Sequence, residues 1–337
     1  MIPFSPARLE TADWQRDMAD AITRPRELLA LLGLEHESVA QTDFDNDSGF
    51  EMRVTRYFAA LMRRGDPRDP LLLQVLPSVA ERLAVTGYAL DPVGDLAAVR
   101  DAGLLQKYRG RALTITTGAC AVHCRYCFRR HFPYAEQALL KQWRQTLETL
   151  RKLPDVNELI LSGGDPLSLS DGRIAALIDD LEQINQLTRL RIHTRLPVVL
   201  PQRVTDRLCD RLASSRLQSV VVIHANHPNE ITPVLGESVA RLKAAGASIL
   251  NQSVLLKSIN DDADTLVRLS EALFAIGVMP YYLHLLDRVV GAAHFDVPLD
   301  AAMALYDDLR NRLPGYLVPR MVREVAGANS KTPAALL

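Results

Sequence analysis

Three cysteines within eight positions, Cys120-x3-Cys124-x2-Cys127, carry the strongest chemical signal in this chain. Thiolates crowded into one loop bind a metal or cluster more readily than they cross-link in a reducing compartment. Three are one short of closing a structural zinc or four-cysteine cluster site, and the fourth cysteine, Cys209, lies 82 positions beyond Cys127 in an expected outer helix. An iron left without a protein ligand can bind a substrate or cofactor. Two other arrangements compete: a zinc site completed by His123 or His131, and three buried structural thiols. Cys209 reads as a small core residue.

Two more stretches have chemical potential. Ser162-Gly163-Gly164-Asp165-Pro166 is a turn whose glycines permit close backbone approach and leave peptide groups able to bond a ligand's ammonium group, although such turns are often plain loops. Gly327-Ala328-Asn329-Ser330-Lys331-Thr332-Pro333 surrounds one lysine with small residues. A desolvated lysine can form a Schiff base with an aldehyde, whereas the bland reading is a frayed tail.

These groups need elements to position them. From Arg111 onward, β-branched runs at 112–117, 158–161, 190–194, 219–224, 248–252 and 278–283 alternate with helical apolar spacing over 141–152, 174–184, 203–212, 238–245 and 266–274. Six βα units predict a parallel sheet, and about 200 residues are too few for an eight-unit barrel. The expected fold is α/β, an open, partial (β/α)6 barrel. Before it, residues 24–32 and 79–83 read as short helices, broken by a polar loop at 41–49 and by Asp66-Pro67 and Asp69-Pro70. The predicted organisation is a mostly helical region at 1–106, the barrel at 107–323 and a lysine-bearing segment at 324–337. Chemistry in parallel folds collects at the C-terminal ends of strands. Cys120, Ser162 to Asp165, His193 and Arg195, His224 and Asn226, Gln252, and Asp287 fall at those ends in turn.

Composition bounds the partners. With 337 residues, 48% hydrophobic and 23% charged, the chain can bury a sizeable core. Lys plus Arg (39) against Asp plus Glu (40) gives a net charge of −1, without the basic excess that favours nucleic acid or an anionic membrane. The opening MIPFSPARLE has no signal-peptide pattern, and no run approaches the roughly 18 apolar residues of a membrane span. A cytoplasmic location and a small-molecule partner are expected.

The cysteine spacing, placed after the first strand of a six-unit βα fold, resembles the radical S-adenosylmethionine (SAM) superfamily. That resemblance implies a [4Fe-4S] cluster on Cys120, Cys124 and Cys127, SAM on the open iron, Tyr126 near the adenine, and Gly163, Gly164 and Asp165 receiving the methionyl amino group. Longer segments are similar to the lysine 2,3-aminomutase family: Arg53 to Met62, the cysteine loop with Arg129-Arg130, Leu161 to Leu167, Asn226 to Ile231, Asn251 to Leu256, Pro280-Tyr281-Tyr282 through His294-Phe295, and Lys331-Thr332-Pro333. This closer resemblance implies an isomerase in which Lys331 carries pyridoxal 5′-phosphate (PLP), Lys107, Arg111 and Arg129 hold its phosphate, and His224 and Gln252 contact SAM. Asp287 would read the far ammonium group of lysine, joined by Glu324 where the family has an aspartate.

The sequence ends six residues after Lys331, whereas larger aminomutases continue into a segment associated with zinc and oligomerisation. The short form resembles the elongation factor P (R)-β-lysylation branch. That implies conversion of (S)-α-lysine to (R)-β-lysine, a reductant for the cluster, and a functional link to elongation factor P and its lysyl-transferring enzyme. An aminomutase acting on glutamate or arginine, or a non-catalytic iron-sulfur carrier or binding protein, remains the alternative.

Overall fold

Apolar runs separated by capped helices fold here into one sheet, in a computed structural model that describes residues 14–34, 49–101, 103–134 and 142–337. The opening MIPFSPARLE, residues 41–48 of the loop expected at 41–49 and residue 141 of the helix expected over 141–152 lie outside them. Ten strands run in chain order across the sheet. They are β1 (Val99–Asp101), β2 (Leu104–Tyr108), β3 (Arg111–Thr117), β4 (Glu158–Gly163), β5 (Arg189–Thr194), β6 (Gln218–Ile223), β7 (Ser248–Val254), β8 (Met279–His284), β9 (Arg320–Arg323) and β10 (Thr332–Pro333). From β3 to β9 every pairing is parallel, while β1–β2–β3 and β9–β10 are antiparallel.

The six expected strands are β3 to β8, and a partial, largely parallel barrel follows from them. Four strands were not anticipated. Arg320–Arg323 has only two apolar residues between arginines, β10 is two residues long, and β1 is a three-residue strand on β2, which in turn pairs with β3. Boundaries expected at 106/107 and 323/324 therefore fall inside a continuous sheet.

Short helices occupy much of the N-terminal portion: α1 (Trp14–Ala19), α2 (Pro25–Leu32), α3 (Arg56–Ala60) and α4 (Pro70–Leu73). The helices covering the sheet are α5 (Trp143–Arg151), α6 (Asp171–Glu182), α7 (Leu196–Val199), α8 (Asp206–Ala213), α9 (Pro233–Ala244), α10 (Ala263–Ala275) and α11 (Leu299–Arg312). Their starts are legible in the chain, because Thr205, Thr232 and Asp262 accept the N–H groups of Leu208, Leu235 and Thr265 at 3.1, 3.1 and 2.8 Å. Leu161, Ile192, Val221 and Ile249 of the sheet pack with Ile178, Leu208, Leu242 and Leu269 of the helices. Each such side chain contributes roughly 1.5–3 kcal/mol by leaving water.

That core also includes Leu28, Phe58 and Leu71 from the N-terminal helices. Their segment clamps the cysteine loop: His123 N donates to Arg53 O, and Arg125 N to Gln74 O, each at 2.9 Å. Among the described residues no helix is long and apolar enough to cross a membrane.

Candidate active site

The loop after β3 brings its cysteines to one cavity of about 440 Å³ that opens among the strand ends. Cys120, Cys124 and Cys127 all line it, and the Cys127 N–H donates to the Cys124 carbonyl at 3.0 Å, closing a tight turn. Burial pushes the Cys120 thiol well up and that of Cys127 to about 11. A free thiolate is therefore costly here, whereas coordination to a metal stabilises the deprotonated form. Three soft donors with no fourth cysteine beside them suit a cluster with one open iron. As they stand, no three His, Cys, Asp or Glu side chains among the described residues meet in metal-holding geometry. The two histidines of the zinc alternative are engaged elsewhere. His123 Nδ1 lies 2.9 Å from Glu51 O with its ring stacked on Phe50, and His131 Nε2 lies 3.1 Å from Val290 O.

The turn after β4 presses against the start of that loop. A Cβ on Gly163 would stand 2.5 Å from Thr117 O, in a backbone at φ 127°, and one on Gly164 would stand 2.5 Å from Ala119 O. No side chain fits at either position. Gly164 N donates to Thr117 O at 2.7 Å and Asp165 N to Ala119 O at 2.8 Å, while Tyr134 donates to Gly163 O at 3.1 Å. What the turn can offer an ammonium group is carbonyl lone pairs.

Asp165 corrects one expectation. Its Oδ1 accepts from Leu167 N (3.0 Å) and Thr194 Oγ1 (2.7 Å), and its Oδ2 from Arg195 N (2.7 Å) and Leu196 N (3.1 Å). Those four bonds use the lone-pair capacity of a carboxylate. Asp165 thus fixes the ends of β4 and β5 rather than presenting oxygens to a cofactor.

Tyr126 is buried, stacked on His224 with ring centroids 5.7 Å apart, and its hydroxyl lies 2.9 Å from His224 Nε2. Burial, then Arg195, lowers the His224 pKa to about 3, so the ring stays neutral. His193 and His284, at the ends of β5 and β8, are held well below the ordinary histidine range by burial first. Gln252 completes this wall.

The cavity continues to the β2–β3 hairpin, at the opposite end of β3 from the cysteines. Lys107 Nζ and Arg129 Nε each lie 2.6 Å from Asp95, one on each carboxylate oxygen, and Arg129 Nη1 donates to Ser162 Oγ at 2.9 Å. Two of the three cations expected to hold a phosphate are therefore braced by a buried acid. The guanidinium of Arg111 instead lies 4.5 Å over the Tyr108 ring.

Lys331 reaches the same cavity through the smallest strand pairing. β10 pairs antiparallel with β9, Thr332 opposite Arg323, which brings Lys331 back beside Glu324. Lys331 Nζ lies 2.7 Å from Glu324 Oε2, and Tyr108 donates to Glu324 Oε1 at 2.5 Å, with Lys107 Nζ 3.6 Å away. Burial alone would raise the Glu324 carboxyl, but Lys331, Tyr108 and Lys107 bring it below its usual range. Lys331 Nζ also stands 5.6 Å over the ring of Tyr282.

Asp287 has the opposite character. Burial lifts its carboxyl to about 7 against the pull of Lys331, and its Oδ1 is buried with no hydrogen-bond partner among the described residues. His193 Nε2 is likewise buried and unpartnered. Orphaned polar atoms on a cavity wall mark places where a bound molecule completes the hydrogen bonding.

The fifteen residues that the family resemblance assigned to the site all line this one cavity, whereas Asn226, also expected at a strand end, does not. Missed were Asp95, Tyr108, His284, and Glu81 beneath the cysteine loop, which receives Arg125 Nη2 at 2.5 Å and Arg130 Nη2 at 2.6 Å. A signal for Glu81 existed: Ser78-Val79-Ala80-Glu81 is a capping box, and Glu81 does accept Ser78 N at 3.0 Å.

Residues 114–269, from within β3 into α10, match the profile of the Radical SAM superfamily. The chain is similar to L-lysine 2,3-aminomutase of Escherichia coli, 47% identical over 96% of this chain and 95% of that one. It is 45% identical to L-lysine 2,3-aminomutase of Haemophilus influenzae over 98% of each. The enzyme of that name from Clostridium subterminale is 33% identical over 95% of this chain and 77% of its own length.

Proposed function

The chain belongs to the lysine 2,3-aminomutase family of radical SAM proteins, and on that premise we propose that it moves the amino group of free L-lysine from Cα to Cβ, giving (R)-β-lysine for elongation factor P. Membership implies an isomerase with a [4Fe-4S] cluster and SAM. The observation that most supports lysine as substrate is Asp287, a buried carboxylate on the cavity wall with an unpartnered oxygen.

Three thiols at one mouth of the cavity suit the cluster, and the Gly163-Gly164 cradle with neutral His224 and Gln252 suits SAM. PLP is supported by Lys331 on the far wall, by the Tyr282 ring beneath its Nζ, and by Arg111, Lys107 and Arg129 as partners for a phosphate. When bound, the cluster and SAM supply hydrogen-atom abstraction, and PLP supplies imine chemistry and a ring that spreads unpaired spin. Everything else falls to side chains. Asp95 holds Lys107 and Arg129 in fixed positions. The three histidines remain uncharged and add no positive charge to the wall. Lys331 itself sits on Glu324 as an ammonium group; with Nζ engaged by the cofactor, that carboxylate can receive the substrate's ammonium beside Asp287.

The enzyme would work in the cytosol, with a one-electron reductant for the cluster and the lysyl-transferring enzyme of elongation factor P downstream. Four free cysteines are compatible with a reducing compartment. The decisive test is anaerobic incubation of the reconstituted chain with SAM, PLP, a reductant and free lysine, followed by chiral analysis. (R)-β-lysine is expected, and turnover of glutamate or arginine but not lysine would overturn the assignment.

The ammonium-reading role makes a signed pH prediction. Only ionised Asp287 binds the cation, and its carboxyl titrates at about 7, so kcat/KM for lysine should rise about tenfold per pH unit up to that point and then level. Asp287→Asn should remove that limb and lower kcat/KM ten- to more than a hundredfold, the scale of one charge-assisted contact of about 1.5–3 kcal/mol. Stability should move the other way. A folded-state value of about 7 against an ordinary 3.8 means the ligand-free protein loses stability as pH rises through that window, so Asp287→Asn should be more heat-resistant at pH 8. Parent-like lysine turnover by a cofactor-loaded Asp287→Asn would discard the proposed pocket.

A further inference from the structure

We propose that Arg195 sets the reduction potential of the cluster: its guanidinium, locked edge-on to Cys124, stabilises the reduced state. The inference rests on Cys124 being a cluster ligand and goes beyond it by assigning a tuning residue.

Arg195 follows β5 and is 7% exposed. Its Nη1 donates to Cys124 Sγ at 2.7 Å and to the Tyr126 hydroxyl at 2.9 Å, while Nη2 donates to Gln74 Oε1 at 2.7 Å and Glu230 Oε2 at 3.1 Å. Asp165 holds its backbone N–H at 2.7 Å, and the guanidinium carbon lies 5.2 Å from the Phe58 ring centre and 5.9 Å from that of Tyr126. Groups from the N-terminal helical portion, the cysteine loop, the turn after β4 and the segment after β6 therefore fix one cation.

Its counter-charge is equally fixed. Glu230 Oε1 receives Asn226 N (2.9 Å), His227 N (3.0 Å) and Gln74 Nε2 (3.1 Å), which keeps the carboxylate on the side of the guanidinium remote from Cys124. The other arginines of the loop face their own acids, Arg125 and Arg130 on Glu81 and Arg129 on Asp95. Reduction of a cluster adds one negative charge, supplied here by a low-potential one-electron carrier, and breaks no bond. Cluster potentials respond to hydrogen bonds on the sulfurs, net local charge and exposure. A buried, immobile cation bonded to a ligand sulfur changes the first two together, in a medium of low dielectric.

The test is an EPR-monitored redox titration of the full chain, reconstituted anaerobically, for the parent, Arg195→Gln and Arg195→Lys, with iron and sulfide measured on each sample. Arg195→Gln is expected to shift the reduction equilibrium at least about tenfold toward the oxidised state, about 59 mV more negative for one electron. Arg195→Lys keeps a charge but not the fork, and should shift less in the same direction. An Arg195→Gln cluster that titrates with the parent overturns the proposal, including when SAM affinity is lost, since Arg195 would then be a SAM contact instead. So does a positive shift. If Arg195→Gln does not load, Arg195→Lys decides: a negative shift at full iron content supports the proposal and parent-like titration refutes it. Normal cluster loading by Cys124→Ala would instead sink the ligand assignment beneath it.

Discussion

Alanine at Cys120, Cys124 or Cys127 is expected to leave the reconstituted chain without a stable cluster and without aminomutase turnover, while Cys209→Ala retains both. The three loop cysteines face one cavity, in a segment whose backbone is pinned by Arg53 O and Gln74 O. Removing one thiol leaves two protein ligands for a cluster that already has one open iron, so the effect on loading should be near complete. Cys209 lies on α8, packed against the main core, and a truncation there removes only a small apolar contact. Iron and sulfide content after anaerobic reconstitution, read with lysine turnover on the same samples, separates the cases. A Cys209→Ala protein that fails to load beside a normally loaded Cys124→Ala would end the assignment.

The barrel was legible because its strands announce themselves twice. Glu158–Gly163 is buried throughout and Arg189–Thr194 alternates, and the longer helices that cover them, α6 and α8, begin at the capping residues Ser170 and Thr205. What escaped was the sheet's margin. Arg320–Arg323 and Thr332–Pro333 have no periodicity of their own, and they exist as strands because β8 offers an edge and the chain doubles back on it. Their pairing is what makes the last fourteen residues part of the barrel rather than a tail.

Residue type and strand-end position together made the candidate site readable from Cys120 to Asp287. Partnership was not readable. Lys107 and Arg129 advertise positive charge, but nothing in their spacing reveals that Asp95 takes both, because Asp95 comes from an irregular segment whose path is set by tertiary contacts. Asp165 shows the converse: an acid beside a glycine pair looks like a ligand contact, and its oxygens are instead engaged by backbone N–H groups and Thr194. Motif reading finds which residues share a site, whereas hydrogen bonding decides which of them still have an atom to offer.

Lys331→Ala is expected to abolish covalent retention of PLP and to lower lysine turnover by about a thousandfold or more, the scale on which loss of a covalent-catalysis residue is felt. The geometry supplies the reason. Thr332 and Pro333 pair with Arg323 and Val322, so the lysine cannot wander like a frayed end, and its Nζ is held 2.7 Å from Glu324 within the cavity that contains the cysteines. Lys107 shares the cavity but is committed to Asp95 at 2.6 Å and to Val93 O at 2.8 Å. Lys257 lines a separate surface hollow with Asp261 and Asp308. Borohydride reduction of the PLP-loaded chain followed by peptide mapping should therefore recover the pyridoxyl group on Lys331. Lys331→Arg separates charge from nucleophilicity: it can keep a cation on Glu324 but cannot carry the cofactor. Its fold and cluster content should match the parent, and its PLP retention should match Lys331→Ala. If the reduced label appears chiefly on Lys107 or Lys257, or if Lys331→Arg still binds PLP covalently, the β9–β10 pairing positions a structural ion pair and the cofactor lysine lies elsewhere.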